Sequence, residues 1–93
     1  GMAVRVPHPD ALEIISKGVD EIMEVSDDQV ADAIRLYYRA THNVAEGAGA
    51  APLAGLMAQR EVMGGKRVGV ILCGGNIDTG KMATVLDGRT PAP

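Results

Sequence analysis

The residues best placed to do chemistry lie in segment 70–78, where an apolar run ends in a glycine pair. The segment reads Val70-Ile71-Leu72-Cys73-Gly74-Gly75-Asn76-Ile77-Asp78. In open α/β sheets, ligands bind beyond the carboxyl ends of the strands. Two glycines at such a place bring bare backbone close to whatever binds. The segment therefore predicts a binding loop with the Cys73 thiol at its edge.

One interpretation of this loop is a phosphate-binding loop. Residues 75–81 match the pattern G-x-x-x-x-G-K between an apolar run and a predicted helix. The pattern requires Ser or Thr at the next position to hold Mg²⁺, where this chain has Met82. No later strand offers an acidic partner, so the match is incomplete.

A second interpretation makes Cys73 a nucleophile. A catalytic thiol needs a neighbouring His or another group that favours the thiolate. His8 and His42 are the only histidines, and neither has a spacing that points to Cys73. The structural alternative is a cysteine buried at the end of a strand, because free Cys is among the most buried residue types.

Three segments are predicted as strands that position this loop. They are residues 3–6, 21–25 and 67–73. The second alternates polar and apolar residues, which is typical of a half-buried strand. The third is a continuous apolar run bounded by turn signals, which is typical of a strand buried on both faces of a parallel sheet.

Two helices are predicted in the first half of the chain. Pro9 can open the first, and Gly18 is suited to end it. Ser26 and Gln29 fit a capping box that begins the second. One apolar stripe follows on that helix, formed by Val30, Ala33, Ile34, Tyr37 and Thr41. Charged residues on it, among them Arg35, are expected to face solvent.

Two further helices are predicted in the second half. Pro52 is expected in or near the first turn of the third helix, which continues to about Met63. The fourth runs from about Thr79 to Leu86, and the proline-rich residues after it are expected to fray. Strands alternating with helices predict an α/β fold with a parallel or mixed sheet. Residues 1–93 are expected to form a single domain.

Composition excludes several classes of function. No Trp, no Phe and two Tyr leave little for stacking on nucleic-acid bases, and a net charge of −3 gives no basic patch. No stretch approaches the ~20 apolar residues of a membrane span. A single cysteine cannot form an internal disulfide, which fits a reducing cytoplasm. We therefore expect a cytoplasmic protein that binds neither nucleic acid nor membrane.

Three segments together resemble one enzyme family. They are Ser26–Ile34, Thr41–Ala51 and Val70–Asp78, in this order and spacing. This combination is similar to the C-terminal part of the threonine dehydratase and serine dehydratase/racemase family, and the resemblance runs from about Ala3 to Leu86. It implies a pyridoxal-phosphate (PLP) enzyme of the tryptophan-synthase-β-like fold. This chain would be a small three-layer fragment of that fold, with about three strands and four helices.

The resemblance also implies a cofactor-side wall. Cys73 stands where the family has a Ser or Cys beside the pyridine nitrogen of PLP, a partner that tunes the ring. Gly74, Gly75 and Asn76 would shape the loop beside the ring. Glu46 and Gly47 match the family's Glu-Gly segment near the cofactor edge. Without the resemblance, Glu46 is a helix N-terminal charge favoured by the dipole.

The departures from the family concern its catalytic groups. Lys17, Lys66 and Lys81 do not stand in the motif of the Schiff-base lysine, and the phosphate loop, the substrate-carboxylate loop and the cation ligands have no match. Pro52 replaces the small residue more usual there. We therefore assign no catalytic residue and no metal ligand, and we expect PLP not to be bound by this chain alone, because cofactor binding rests on several convergent groups.

The expected function is a threonine/serine dehydratase-like ammonia-lyase segment that is inactive alone. In the parent reaction, PLP supports β-elimination and deamination of a hydroxy-amino acid. The alternative is a non-enzymatic oligomerising or partner-binding module, or one half of a split enzyme. Exposed apolar surface usually marks an interface, so the expected partner is a second copy or a complementary N-terminal half.

Overall fold

The computed structural model describes residues 2–93, and within that range it contains five helices and no β-strand. The helices are α1 (Pro9–Gly18), α2 (Asp27–Thr41), α3 (Gly47–Ala58), α4 (Arg60–Met63) and α5 (Thr79–Leu86). Helix α2 packs against α3 and α5, and α4 continues from the end of α3. None of the helices in the described range is long and apolar enough to cross a bilayer.

The predicted starts of the first two helices are confirmed. Pro9 is the first residue of α1, where its missing N–H costs nothing because that donor has no helical partner. The capping box of α2 is complete. The Gln29 N–H donates to Ser26 Oγ at 3.1 Å, and the Ser26 N–H donates to Gln29 Oε1 at 2.8 Å. Helix α2 ends at His42, whose φ of 57° is left-handed.

The predicted start of the third helix is wrong. Helix α3 begins at Gly47, so Pro52 lies in its second turn rather than its first. Pro52 has no N–H to donate to the carbonyl of Ala48, so the helix gives up one backbone hydrogen bond there. The residues between Gly47 and Pro52 include three alanines, and alanine has the highest helix propensity, which favours the earlier start. The helix also breaks at Gln59 before the short α4. The predicted bounds of the last helix are confirmed.

The core is built almost entirely from small side chains. Its buried members are Ala31, Ala33, Ile34, Ala45, Ala50, Ala54 and Val85. Of the predicted stripe on α2, Ala33 and Ile34 are buried, and Val30 and Tyr37 are half-buried against them. Thr41 is exposed instead, and its hydroxyl donates to the Tyr37 carbonyl at 2.7 Å. The backbones of α2 and α3 can approach closely because so few large side chains separate them.

The expected strands do not form within residues 2–93. Residues 67–73 were predicted to be buried on both faces, yet Ile71 is 76% exposed and Val68 is 43% exposed. Val70 and Leu72, which flank Ile71, are half-buried. A strand exists only through hydrogen bonds to a neighbouring strand, and no segment in the described range makes them with residues 67–73. The α/β class and the count of three strands are therefore not realised in these residues.

The C-terminal residues are held against α2 rather than frayed. The half-buried Arg35 guanidinium donates through Nη1 to the Val85 carbonyl at 2.8 Å and to the Arg89 carbonyl at 3.2 Å. Thr90 donates its hydroxyl to Asp28, and Pro91 is half-buried. Arg35 was expected to face solvent, but its side chain is only 19% exposed.

Candidate functional site

The loop after Cys73 crosses the N-terminus of α3. The Glu46 N–H donates to the Gly74 carbonyl at 3.0 Å, which ties the two segments together. Glu46 is the N-cap residue of α3, and its side chain makes no capping hydrogen bond. The fold thus brings together the two segments that the sequence separates by more than twenty residues: Glu46-Gly47 and the Cys73–Asn76 loop.

Three glycines permit this crossing. A Cβ at Gly49 would collide with the Gly74 carbonyl oxygen, and a Cβ at Gly75 would collide with the Val44 carbonyl oxygen. A Cβ at Gly74 would lie 2.9 Å from Oε1 of Glu46. The Glu46 carboxylate therefore lies directly over the Gly74 backbone, half-buried. Only glycine allows backbone and carboxylate to approach this closely.

Cys73 is exposed, so the expectation of a buried cysteine is wrong. The residue before the crossing, Leu72, is half-buried against the core, and alternation then places Cys73 on the open side. Asn76 is also exposed, and a turn closed by the Ile77 N–H donating to the Gly75 carbonyl at 2.9 Å holds it in place. Gly47 is half-buried, with room for a Cβ at 3.8 Å from Val30.

The structure removes the phosphate-loop interpretation. Asp78 is the N-cap residue of α5, and its carboxylate accepts the N–H groups of Gly80 at 3.0 Å and Lys81 at 3.2 Å. Those are the amides that a phosphate would need. This role of Asp78 was not predicted from the sequence, although Asp immediately before a predicted helix is the usual signal of an N-cap.

The histidines have backbone roles elsewhere. Nδ1 of His8 accepts the Asp10 N–H at 3.3 Å at the start of α1, and His42 ends α2. Among residues 2–93, no group of three or more His, Cys, Asp or Glu side chains is arranged to hold a metal ion. The nucleophile interpretation of Cys73 thus gains no support from a histidine partner.

The lysines also lie on other surfaces. Lys17 forms an ion pair with Glu13 on α1 at 2.7 Å. Lys66 is exposed after α4, and Lys81 lines a cleft with the C-terminal residues. The wall formed by the Cys73–Asn76 loop and Glu46 therefore consists of a thiol, bare backbone, an amide and a carboxylate.

A family model described as "Pyridoxal-phosphate dependent enzyme" matches residues 1–74 of the chain. The L-threonine ammonia-lyase of Thermotoga maritima is 36% identical over 94% of this chain. The β-hydroxyaspartate dehydratase of Paracoccus denitrificans is 40% identical over 73% of it, and the serine racemase of Schizosaccharomyces pombe is 36% identical over 78%.

The chain spans only part of these relatives. The matches cover 21% of the Thermotoga protein, 22% of the Paracoccus protein and 23% of the Schizosaccharomyces protein. No solved structure matches the chain significantly.

Proposed function

Because the chain belongs to the family of pyridoxal-phosphate dependent enzymes, we propose that it is a segment of a threonine/serine dehydratase-like ammonia-lyase. The parent reaction is β-elimination and deamination of a hydroxy-amino acid. The observation that carries the proposal is the tie between Glu46 and Gly74, which assembles one wall from the two segments that resemble the family's cofactor side. The names of the relatives, which are an ammonia-lyase, a dehydratase and a racemase, support the same class.

The residues of this wall fit one side of a planar cofactor. Gly74 and Gly75 present backbone without side chains, so a flat ring can approach it, and the exposed Cys73 thiol lies beside them. Bound PLP supplies the electron sink of the reaction. The Cys73 thiol would face the ring nitrogen as a neutral partner, which moderates that sink more than a carboxylate would. Glu46 with Gly47 would hold the loop edge, and Asn76 would face the ring from the turn.

A chimera tests this proposal directly. We would replace the aligned region of the Thermotoga L-threonine ammonia-lyase with this chain and measure 2-oxobutyrate formed from threonine. We expect activity, and we expect it to survive Cys73→Ser, which keeps a neutral hydrogen-bonding group. Cys73→Asp should lower it by about tenfold or more, because a carboxylate changes the charge beside the ring nitrogen. A folded chimera that binds PLP but forms no product would contradict the proposal.

The chain by itself should not be catalytic. A wall that provides one side of a cofactor lacks the convergent groups that binding and turnover need. We expect incubation of the chain with PLP and threonine to give no 2-oxobutyrate above the rate of PLP alone. The Thermotoga relative serves as the positive control, and turnover above the PLP background would overturn this part of the proposal.

A second candidate function is a non-enzymatic partner-binding or oligomerising module. Large apolar side chains at Ile22, Val62 and Ile71 are exposed, and exposed apolar surface marks an interface where it is contiguous. The partner would be a second copy or a complementary N-terminal half. Light scattering over a range of concentrations separates the two, since a clean monomer at high concentration contradicts self-association.

A further inference from the structure

We propose that helix α1 of one copy of this chain binds in a groove between α2 and α3 of a second copy, and that the exchange is reciprocal. The inference rests on the second candidate function, an oligomerising module, and adds which surfaces meet. It does not depend on the ammonia-lyase assignment. Two observations support it: an amphipathic helix that covers nothing in its own chain, and a groove of matching length and opposite charge.

Helix α1 has an apolar face that no other helix covers. Leu12 and Ile15, three residues apart and therefore on one face of the helix, are 47% and 49% exposed. Asp10, Glu13 and Lys17 form a charged face at spacings of three and four residues. In the described part of the chain, α1 contacts no other helix and has no buried residue. An amphipathic helix this short gains most of its stability when its apolar face packs against a partner.

The groove between α2 and α3 has an apolar floor as long as α1. Its volume is about 320 Å³, at the lower end of the ~300–1,000 Å³ of binding clefts. Both helices contribute apolar side chains to the floor: Ala33, Leu36, Ala54, Met57 and Ala58. Along α2 the lining runs from Gln29 to Arg39, a distance of ~15 Å at the helical rise. The ten residues of α1 span the same ~15 Å, so its apolar face fits the groove lengthwise.

The charges of the two surfaces are opposite. Arg39 and Arg60 line the groove, and neither forms an ion pair with another described residue. The acidic lining residue, Asp32, is already paired with Arg35. Residues 10–21, by contrast, carry four acidic side chains and one lysine. Charge complementarity therefore favours α1, an acidic amphipathic helix, as the occupant.

The connection after α1 makes a second copy, rather than the same chain, the source of the helix. Gln59 Nε2 donates to Glu21 Oε1 at 3.5 Å, and residues 58 and 60 on either side of Gln59 line the groove. Only Val19 and Asp20 separate α1 from Glu21, and Val19 is extended, with φ −94° and ψ 138°. A chain reversal takes a turn of about four residues, so α1 cannot fold back onto its own groove while Glu21 is held. Because α1 starts beside that groove, a two-fold axis there brings each helix to the groove of the other copy.

Analytical ultracentrifugation of the full chain tests the pairing over about 10 µM to 1 mM, the range of weak association. We expect a monomer at the low end and a dimer without larger species at the high end. Amide exchange of α1 should be fast in the dilute sample and slower by about tenfold or more in the concentrated one.

Three results of that experiment would overturn the inference. A monomer at every concentration would reject it together with the second candidate function. Slow exchange of α1 in the dilute monomer would assign the groove to the helix of the same chain. A series of larger species would exclude reciprocal exchange, because a two-fold pairing closes at the dimer.

Ile15 and Ile14 provide a matched pair of variants on α1. Ile15 shares its face with Leu12, whereas Ile14 points away from that face and is 72% exposed. Neither residue is buried, so the core should fold in both variants. We expect Ile15→Ser to weaken the dimer by about tenfold and Ile14→Ser by about twofold at most. Equal effects of the two variants, or no effect of Ile15→Ser, would overturn the inference.

The groove is tested by reversing its charge. Arg39→Glu and Arg60→Glu should each weaken the dimer by about tenfold, because each places a carboxylate against an acidic helix. Lys66→Glu is the control, since it makes the same change of charge at an exposed position outside the groove. A dimer that keeps its affinity in both arginine variants, or loses as much in Lys66→Glu, would reject the groove but leave self-association intact. The chimera assay tests the ammonia-lyase segment separately.

Discussion

At the residue scale, the candidate site depends on glycines, which have no Cβ. Gly74 lies under the Glu46 carboxylate, and Gly49 lies under the Gly74 carbonyl. In each of these contacts, an oxygen atom occupies the space that a Cβ on the glycine would need. The thiol of Cys73 stands beside them as the one soft, exposed nucleophile in the sequence.

Gly49→Ala should destabilise the fold. Alanine favours a helix interior by about 1 kcal/mol over glycine, but its Cβ would collide with backbone of the crossing loop, which cannot move aside as a flexible side chain would. Overpacking of this kind costs about 1–3 kcal/mol, so the net free energy of unfolding should fall. Urea denaturation followed by circular dichroism measures it.

Gly18→Ala is the matched control for that variant. Gly18 is the last residue of α1, and a Cβ there meets nothing within 4 Å. The same substitution should therefore leave the urea midpoint unchanged or raise it slightly. A Gly49→Ala protein as stable as Gly18→Ala would show that the crossing loop is not held where the structure places it.

Cys73 should react in the native state. Its side chain is accessible, so a thiol reagent such as Ellman's reagent should modify it fully without denaturant, and urea should accelerate the reaction only slightly. Cys73→Ser gives the blank, since the sequence holds no other cysteine. A thiol that reacts only after unfolding would show that Cys73 is buried, as its sequence context favours.

At two places the sequence pattern gives a wrong prediction, and each error has a physical reason. Cys73 follows an apolar run, and apolar runs are usually buried, but burial depends on a neighbouring strand that residues 2–93 do not supply. The sequence around Gly80 and Lys81 resembles a phosphate loop because a capped helix start and a phosphate loop both use the amides at a helix N-terminus. The amides are in fact taken by Asp78.

At the element scale, Arg35 joins three parts of the molecule. Its guanidinium extends from α2 to the Val85 carbonyl in the last turn of α5 and to the carbonyl of Arg89, and it pairs with Asp32 on its own helix. A cation at a helix C-terminus also complements the helix dipole. The planar fork of arginine is what allows one side chain to serve several acceptors.

Arg35→Lys should loosen the C-terminal residues. Lysine keeps the charge but not the fork, and a hydrogen bond from a charged group contributes about 1.5–3 kcal/mol. We expect a lower urea midpoint and faster proteolysis after Leu86. Arg39→Lys, one turn further along α2 and exposed, is the control and should change neither. Equal effects of the two variants would contradict the role given to Arg35.

Helices were predictable from sequence to a degree that strands were not. A capping box or an N-terminal proline acts within a few residues, so Ser26, Gln29 and Pro9 mark their helices correctly. Residues 67–73 carry an equally clear strand pattern, but a strand also depends on non-local pairing. Pro52 is an intermediate case. Proline usually lies in the first turn of a helix, but the alanines before Pro52 move the start of α3 to Gly47.

At the scale of the whole molecule, stability is unevenly distributed. Helices α2, α3 and α5 share the core, whereas α1 has no buried residue and packs against no other helix in the described range. An isolated helix shorter than ~12–15 residues is marginal in water. The ten residues of α1 therefore depend on local interactions, which are their caps and the Lys17–Glu13 ion pair.

Amide hydrogen exchange should show this division. We expect α1 to exchange nearly as fast as an unfolded peptide, while the middle of α2 is protected by the free energy of global unfolding. The comparison is made within one sample, so α2 is the internal control. Strong protection throughout α1 would mean that it packs on a surface that the monomer does not offer.

The alanine-rich core has a calorimetric consequence. Five of its seven buried apolar residues are alanines, so unfolding uncovers little hydrocarbon surface. The heat-capacity increment should fall below the ~12–15 cal/mol/K per residue of ordinary domains. A small increment flattens the curve of free energy against temperature, so the protein should lose its structure over a broad span of heating and resist the cold.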